Sequence, residues 1–211
     1  MQYLLAGNTA ELLLITACVI AGLPMPLLAI HLLWINLVTD GLPALCLATD
    51  PIDPDVMKRP PRNSSAELAD RSFFVLMGLT GALTAAVSFG VYLYGLKYES
   101  LAMAQTHAFA VLVFAELLRS FGCRSETKLA WEVGFLSNIK LALVVSVSFL
   151  FQVWSHHNSA LGAFLKTEMM AWSDCFMLLI VGAIPLLLLE FLKLLKRVNS
   201  RSALDFRAME G

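Results

Sequence analysis

The sequence predicts an all-α fold, a polytopic membrane bundle of six transmembrane helices. Hydrophobic residues make up 58% of the 211 residues, and the mean hydropathy is +0.73. Apolar runs of about twenty residues recur along the chain, which is the length needed to cross a hydrocarbon core of about 30 Å. This composition excludes a soluble domain. We therefore expect the lipid bilayer to surround the helices, and we expect no nucleic-acid partner.

Six apolar segments define the predicted spans. The first two are joined by Gly22-Leu-Pro-Met-Pro26, which is too short for anything but a tight turn, so these two helices lie antiparallel and adjacent. We expect the second helix to be unwound near Gly41 to Pro43, because Pro43 has no N–H for the carbonyl of Thr39. The six spans are residues 1–23, 27–49, 72–95, 105–123, 138–156 and 171–196.

Basic residues fall almost entirely on one side of these spans. The loop 50–71, the connection 119–140 and the tail after Glu190 carry nearly all of them, whereas Lys97 and Lys166 lie on the other side. The positive-inside rule makes the basic side cytoplasmic, so we expect both termini and the loop 50–71 in the cytoplasm. That loop is either a solvated connector or a stiff platform on which another domain bears.

The second span carries the strongest indication of function. Asn36, Thr39 and Asp40 stand at positions i, i+3 and i+4, so their oxygens face one side of the helix. An unpaired carboxylate at mid-membrane costs at least ~2.5 kcal/mol on insertion scales. With main-chain carbonyls freed beside Asp40, this turn is typical of a site for a hard cation. The alternative is a proline-kinked helix whose polar residues only hold neighbouring helices together.

The first and fourth spans add two further carboxylates. Asn8 and Glu11 stand at i and i+3, and the short hairpin brings Glu11 towards Asp40. Glu116 lies in the fourth span with Arg119 one turn later, which favours either an ion ligand or a simple internal ion pair. Carboxylates with amide and hydroxyl oxygens suit calcium, which takes about six to eight oxygen ligands. Histidine and cysteine are absent from the set, which disfavours zinc and copper.

Three stretches of the sequence carry a family resemblance. The first is Leu32-Leu-Trp-Ile-Asn-Leu-Val-Thr-Asp-Gly-Leu-Pro-Ala44, followed by Asp53-Pro-Asp-Val-Met-Lys-Arg-Pro-Pro-Arg62. It is similar to the sixth transmembrane helix, and the loop after it, of calcium-transporting P-type ATPases of the sarcoplasmic-reticulum-like bacterial type. Tyr3-Leu-Leu-Ala-Gly-Asn-Thr-Ala-Glu11 resembles the fifth helix, and Val113-Phe-Ala-Glu116 resembles the eighth. The resemblance then covers residues 1–211 as helices five to ten of ten, the C-terminal transmembrane domain.

The resemblance implies that this chain is the membrane part of an ATP-driven pump in a bacterial inner membrane, with calcium as the transported ion. It implies these ion ligands: Asn8, Glu11, Asn36, Thr39, Asp40 and Glu116. The sequence lacks the phosphorylation, actuator and hinge motifs of the family and its fourth helix, so we expect no ATP hydrolysis by this chain alone. ATP and Mg²⁺ would act in the missing domains, which become its partners in the same or another chain.

Two questions stay open at the level of sequence. The chain is expected to be an excised domain, a truncated gene product or one piece of a split pump. The alternative is a free-standing membrane protein that acts as a passive cation pathway or as an assembly partner. Arg119 also departs from the family, which has a small amide there. It either points inward and takes the electrostatic place of one calcium ion, or extends to the cytoplasmic interface.

Overall fold

A computed structural model describes residues 1–51, 71–125 and 128–209, and every regular element in these ranges is helical. Five helices are long and apolar enough to cross a membrane, or six if one bent pair counts as a span, which confirms the predicted class. Residues 52–70 of the predicted loop lie outside the described residues. The helices are α1 Gln2–Ile20, α2 Ala29–Trp34, α3 Leu42–Ala48, α4 Arg71–Tyr98, α5 Leu101–Gly122, α6 Ala130–Val133, α7 Ile139–Ser155, α8 Ser159–Leu165, α9 Trp172–Gly182 and α10 Ile184–Met209.

The second span stays helical throughout, but its middle is wound as a π-helix. This π segment, Ile35–Gly41, joins α2 to α3. The unwinding predicted near Gly41 to Pro43 is not found, since Gly41 and Leu42 both keep right-handed helical dihedral angles. Pro43 instead lies in the first turn of α3, where a missing N–H is tolerated. The polar residues of this span thus sit on a widened helical turn instead of an open loop.

The fifth predicted span, 138–156, corresponds to α7, and the short helix α8 after it was not predicted. Helix α7 ends at Ser155, and the chain turns by 98° into α8. Asn158 begins α8, because its side-chain oxygen accepts hydrogen bonds from the backbone N–H groups of Ala160 and Leu161. The sixth predicted span, 171–196, corresponds to α9 and the first part of α10.

Helix α5 lies at the centre of the bundle. No residue from Phe109 to Leu117 is more than 1% exposed, so this stretch is buried on every side of the helix. A helix that is apolar all round is expected at the core, with the other helices packed around it. Helices α1, α4, α7 and α9 all contact α5. Glu116 and Arg119 therefore stand on the most buried of the spans that the structure describes.

Polar contacts hold the predicted basic connections together at one end of the bundle. Arg124, just after α5, forms an ion pair with Asp50 at the end of the second span (Nη2–Oδ1 3.0 Å). Asn138, before α7, donates from Nδ2 to Asp50 Oδ1 at 2.8 Å and to the Cys46 carbonyl at 3.1 Å. At the opposite end, the Tyr92 hydroxyl donates to the Pro24 carbonyl at 2.8 Å. The end of the second span, the residues after α5 and the start of α7 thus lie at the same end of the bundle.

A buried ion pair fastens α10 to the end of α5. Glu190 and Lys193, whose pairing the sequence suggests by their i, i+3 spacing, lie 2.8 Å apart and are 3% and 7% exposed. The second carboxylate oxygen of Glu190 accepts a hydrogen bond from the backbone N–H of Ala130 at 2.8 Å. Lys193 also donates to the Gly122 carbonyl at 2.7 Å. Both charges are thus compensated, which is the condition for burying them.

Candidate cation site

Charged side chains from two elements meet at Gly7 of α1. A Cβ atom on Gly7 would lie 2.9 Å from Oε1 of Glu116 and 3.0 Å from Oδ2 of Asp40. It would also lie 3.2 Å from Nη2 of Arg119. Because glycine has no side chain, the backbone of α1 leaves room for these groups. The π segment and α5 thus bring their charged residues together against α1.

The cluster consists of Asp40, Glu116 and Arg119 together with Glu11 and Thr39, and most of its side-chain oxygens are buried without a hydrogen-bond partner among the described residues. Glu11 is 7% exposed, Asp40 1% and Glu116 0%. Several of their oxygens have no hydrogen-bond partner among the described residues, and a buried polar group without a partner costs about 1–3 kcal/mol. A set of buried, unpaired carboxylates is what a hard cation requires of its ligands. The unpaired oxygens are Glu11 Oε1, Thr39 Oγ1, Asp40 Oδ1 and Oδ2, and Glu116 Oε1 and Oε2.

Arg119 points into the cluster. It is 1% exposed, and its Nη2 atom lies 4.0 Å from Oε1 of Glu116. The same nitrogen donates to the Tyr3 carbonyl at 3.1 Å, and the guanidinium lies 5.5 Å from the centre of the Tyr3 ring. Of the two positions that the sequence leaves open, the structure thus has the inward one. A permanent positive charge therefore stands beside the carboxylates.

Tyr3 was missed by sequence reasoning. Its hydroxyl donates to the Thr39 carbonyl at 2.7 Å, the carbonyl that cannot receive an N–H from Pro43. Tyr3, Gly7 and Glu11 are spaced four residues apart, which places all three on one face of α1. That spacing was the available signal.

Two of the predicted ligands, Asn8 and Asn36, are exposed, unlike the residues of this cluster. Asn8 is exposed in this chain, since it follows Gly7 and is rotated by about 100° from it around α1. Asn36 is exposed as well, and its amide donates to the Leu32 carbonyl at 2.9 Å, although the side chain also interacts with Glu11. The structure therefore brings together Glu11, Thr39, Asp40, Glu116 and Arg119, with Asn36 at the edge.

The cluster does not form a complete coordination shell. Within the described ranges, no three His, Cys, Asp or Glu side chains are arranged to hold one metal ion. Asp40 and Glu116 are close enough to interact directly, whereas Glu11, one turn beyond Gly7 on α1, interacts with both electrostatically. Calcium takes about six to eight oxygens, more than these side chains supply. A cation bound here needs further ligands from water or from another part of the protein.

Comparisons with known proteins give one consistent family. The sequence profile described as "Cation transporting ATPase, C-terminus" matches residues 24–195. The chain is 33% identical to Calcium-transporting ATPase 1 of Bacillus cereus, covering 92% of the chain and 24% of that protein. It is 37% identical to the Calcium-transporting ATPase of Bacillus subtilis, covering 89% and 21% respectively. With the rat Calcium-transporting ATPase type 2C member 2 it shares 32% identity, covering 97% and 22%. The chain thus spans about a quarter to a fifth of the length of these relatives.

Proposed function

Because this chain belongs to the family of cation-transporting ATPase C-terminal domains, we propose that it is the membrane part of an ATP-driven calcium pump. In this proposal the chain supplies ion ligands but no ATPase machinery. ATP and Mg²⁺ act in phosphorylation and nucleotide domains, whose motifs this sequence does not contain. Those domains, in the same or another chain, are its functional partners.

One observation carries the proposal: three carboxylates from three separate helical elements lie buried in an integral membrane protein, and most of their oxygens have no hydrogen-bond partner among the described residues. Glu11, Asp40 and Glu116 are each under 10% exposed, and five of their oxygens are unpaired among the described residues. Charged residues inside a membrane are costly and mark ion pathways. Oxygen ligands without sulfur or imidazole favour a hard ion such as calcium.

We place Asp40 at the centre of the site. Asp40 is 1% exposed, and its Oδ2 atom lies 3.0 Å from where a Cβ atom on Gly7 would be. It also interacts with the carboxylates of both Glu11 and Glu116. Thr39 would add its hydroxyl, which is unpaired among the described residues. Asn8 and Asn36, which lie on exposed surfaces in this chain, would join only through an ion bound towards that surface or through rearrangement.

We also propose a bacterial inner membrane and a cytoplasmic location for both termini. The orientation is supported by the basic residues gathered in the connections around Arg124 and in α10. The bacterial membrane is supported by the identity to the two Bacillus proteins.

The test uses the full-length pump that carries this chain, with phosphorylation from radiolabelled ATP measured against free calcium. We expect Asp40→Asn to abolish calcium-dependent phosphorylation and leave folding intact, because the charge is removed without a change of shape. Asp174→Asn, the same change at the start of α9, is the matched control and should behave as wild type. Undiminished phosphorylation of Asp40→Asn would contradict the proposal. Calcium flux through the purified chain in vesicles without ATP would instead indicate a passive pathway.

A further inference from the structure

Tyr3 connects the π segment to Arg119. Its hydroxyl donates to the Thr39 carbonyl at 2.7 Å and lies beside the Asp40 carboxylate. Its own carbonyl accepts a hydrogen bond from Nη2 of Arg119, and its ring lies 5.5 Å from that guanidinium. The side chain is 3% exposed. One residue at the start of α1 thus touches both the acidic turn and the neighbouring positive charge.

Hydrogen-bond donors are scarce in this cluster. The carboxylates of Glu11, Asp40 and Glu116 and the carbonyl of Thr39 are all acceptors. The donors that reach them are the Tyr3 hydroxyl, the Arg119 guanidinium and, at Glu11, the Asn36 amide. The Thr39 carbonyl is satisfied by Tyr3. Main-chain carbonyl oxygens are also ligands of hard cations, so a cation bound beside Asp40 and the Tyr3 hydroxyl would compete for the same oxygen.

We propose that Tyr3 is a positioning residue that competes with the transported cation for the Thr39 carbonyl. In the ion-free state its hydroxyl holds that carbonyl, and it releases the oxygen when the cation binds. Because the ion-free state is the one stabilised by this bond, the hydroxyl lowers the affinity for the ion. The proposal rests on the proposed pumping function, and it concerns a residue outside the set of ligands.

The ring of Tyr3 has a separate role from the hydroxyl. The aromatic face supports the guanidinium of Arg119 by a cation–π contact, which needs the ring but not the oxygen. Tyr3→Phe therefore removes the hydroxyl, with its bond to Thr39 and its contact with Asp40, and keeps the support of Arg119. The chain offers a matched control in Tyr92, which is 0% exposed and whose hydroxyl also donates to a carbonyl, that of Pro24, at 2.8 Å.

The experiment measures the free calcium that gives half-maximal phosphorylation of the full-length pump, for wild type, Tyr3→Phe, Tyr92→Phe and Asp40→Asn. We expect Tyr3→Phe to lower this concentration about five-fold, the equivalent of one hydrogen bond of about 1 kcal/mol at 1.4 kcal/mol per tenfold. The maximal phosphorylation should stay at the wild-type level. Tyr92→Phe should leave both quantities unchanged.

A second measurement separates this role from a merely structural one. Tyr3→Phe should lower the thermal unfolding temperature of the pump without calcium and have a smaller effect at saturating calcium, because the cation then satisfies the carbonyl. Equal losses with and without calcium would overturn the proposal, and so would an unchanged or raised half-maximal calcium concentration. If Asp40→Asn keeps its calcium response, the proposed function itself fails. If Asp40→Asn loses that response and Tyr3→Phe shows no shift, only the role of Tyr3 is wrong.

Discussion

The guanidinium of Arg119 lies 4.0 Å from the carboxylate of Glu116, and neither side chain is more than 1% exposed. At an effective dielectric constant of ~20, two unit charges ~4 Å apart interact by about 4 kcal/mol. A cation competing for Glu116 must overcome this attraction. We therefore expect Arg119 to take, electrostatically, the place of a second calcium ion.

The first prediction follows from this pair. We expect one calcium ion per phosphorylation site in the wild-type pump, and two in Arg119→Asn, because the asparagine removes the fixed charge and leaves an amide oxygen. The measurement is the calcium bound at saturation divided by the number of sites phosphorylated. Two ions already bound by the wild type would show that Arg119 does not limit the stoichiometry.

The second prediction concerns the absent side chain at Gly7. Gly7→Ala places a methyl group within 3.0 Å of both Glu116 and Asp40, so these carboxylates must move. Overpacking of this kind costs about 1–3 kcal/mol, and we expect the half-maximal calcium concentration to rise about tenfold or more. Gly78→Ala is the control, since its Cβ would have no neighbour within 4 Å. If both variants behave alike, close packing at Gly7 is not required.

The third prediction ranks the ligands by charge and position. Asn8→Ala should weaken calcium affinity much less than Asp40→Asn, because a neutral and exposed amide is lost in place of a buried charge. Calcium-dependent phosphorylation of the two variants in parallel gives the comparison. Equal effects would indicate that Asp40 has a structural role only.

The fourth prediction concerns the isolated chain. We expect it to bind calcium weakly, because the described side chains do not close a shell around one ion. Isothermal titration of the purified chain in detergent measures this directly. A tight site that disappears in Asp40→Asn would show that these residues suffice by themselves.

The fifth prediction concerns the ion pair that holds α10. Lys193→Met should lower the free energy of unfolding by about 3–5 kcal/mol, because it leaves the Glu190 carboxylate buried without its partner. The control is Arg197→Met, which breaks the exposed Arg197–Glu132 pair and should cost much less, because exposed ion pairs contribute little to stability. Denaturant unfolding of the purified chain gives both values. The double variant Glu190→Gln with Lys193→Met should recover part of the loss.

The Arg197–Glu132 pair also gives a pH dependence. The hydrogen bond from the Arg197 guanidinium, and that from the Leu129 N–H, lower the pKa of Glu132 below its ordinary value. A carboxyl group whose pKa is depressed by folding contributes stability above its unfolded pKa and loses it as the pH falls through the folded value. This contribution is therefore present at neutral pH in wild type and removed in acid.

The sequence predicts the class of fold and the carboxylates because both depend on local features. Long apolar runs predict the helices, and Glu11, Asp40 and Glu116 stand out within such runs. Tyr3 and Gly7 do not stand out, because tyrosine and glycine are ordinary in membrane helices. Their importance arises from contacts with α5 and the π segment, which are distant in sequence.

The angles between successive helices were also harder to predict than the positions of the spans. Hydropathy assigns apolar residues to a membrane but does not give the angle between successive helices. The 98° turn between α7 and α8 therefore does not emerge from it, although Asn158 is a helix-starting residue. The π-helical form of Ile35–Gly41 could not be predicted for a similar reason. Pro43 predicts that the helix is disturbed there, but it does not predict whether the turn unwinds or widens.

The π segment has a consequence for motion along the second span. A π turn holds one residue more than the corresponding α-helical stretch, because its hydrogen bonds reach five residues back instead of four. Rewinding Ile35–Gly41 as an α-helix would rotate the residues that follow by about 100° and advance them by about 1.5 Å along the axis. Asp50 at the end of that span is anchored by Arg124, so such a rotation would be transmitted to the connection after α5. A register shift of one residue would thus couple a change around Asp40 to a rotation at the far end of the helix.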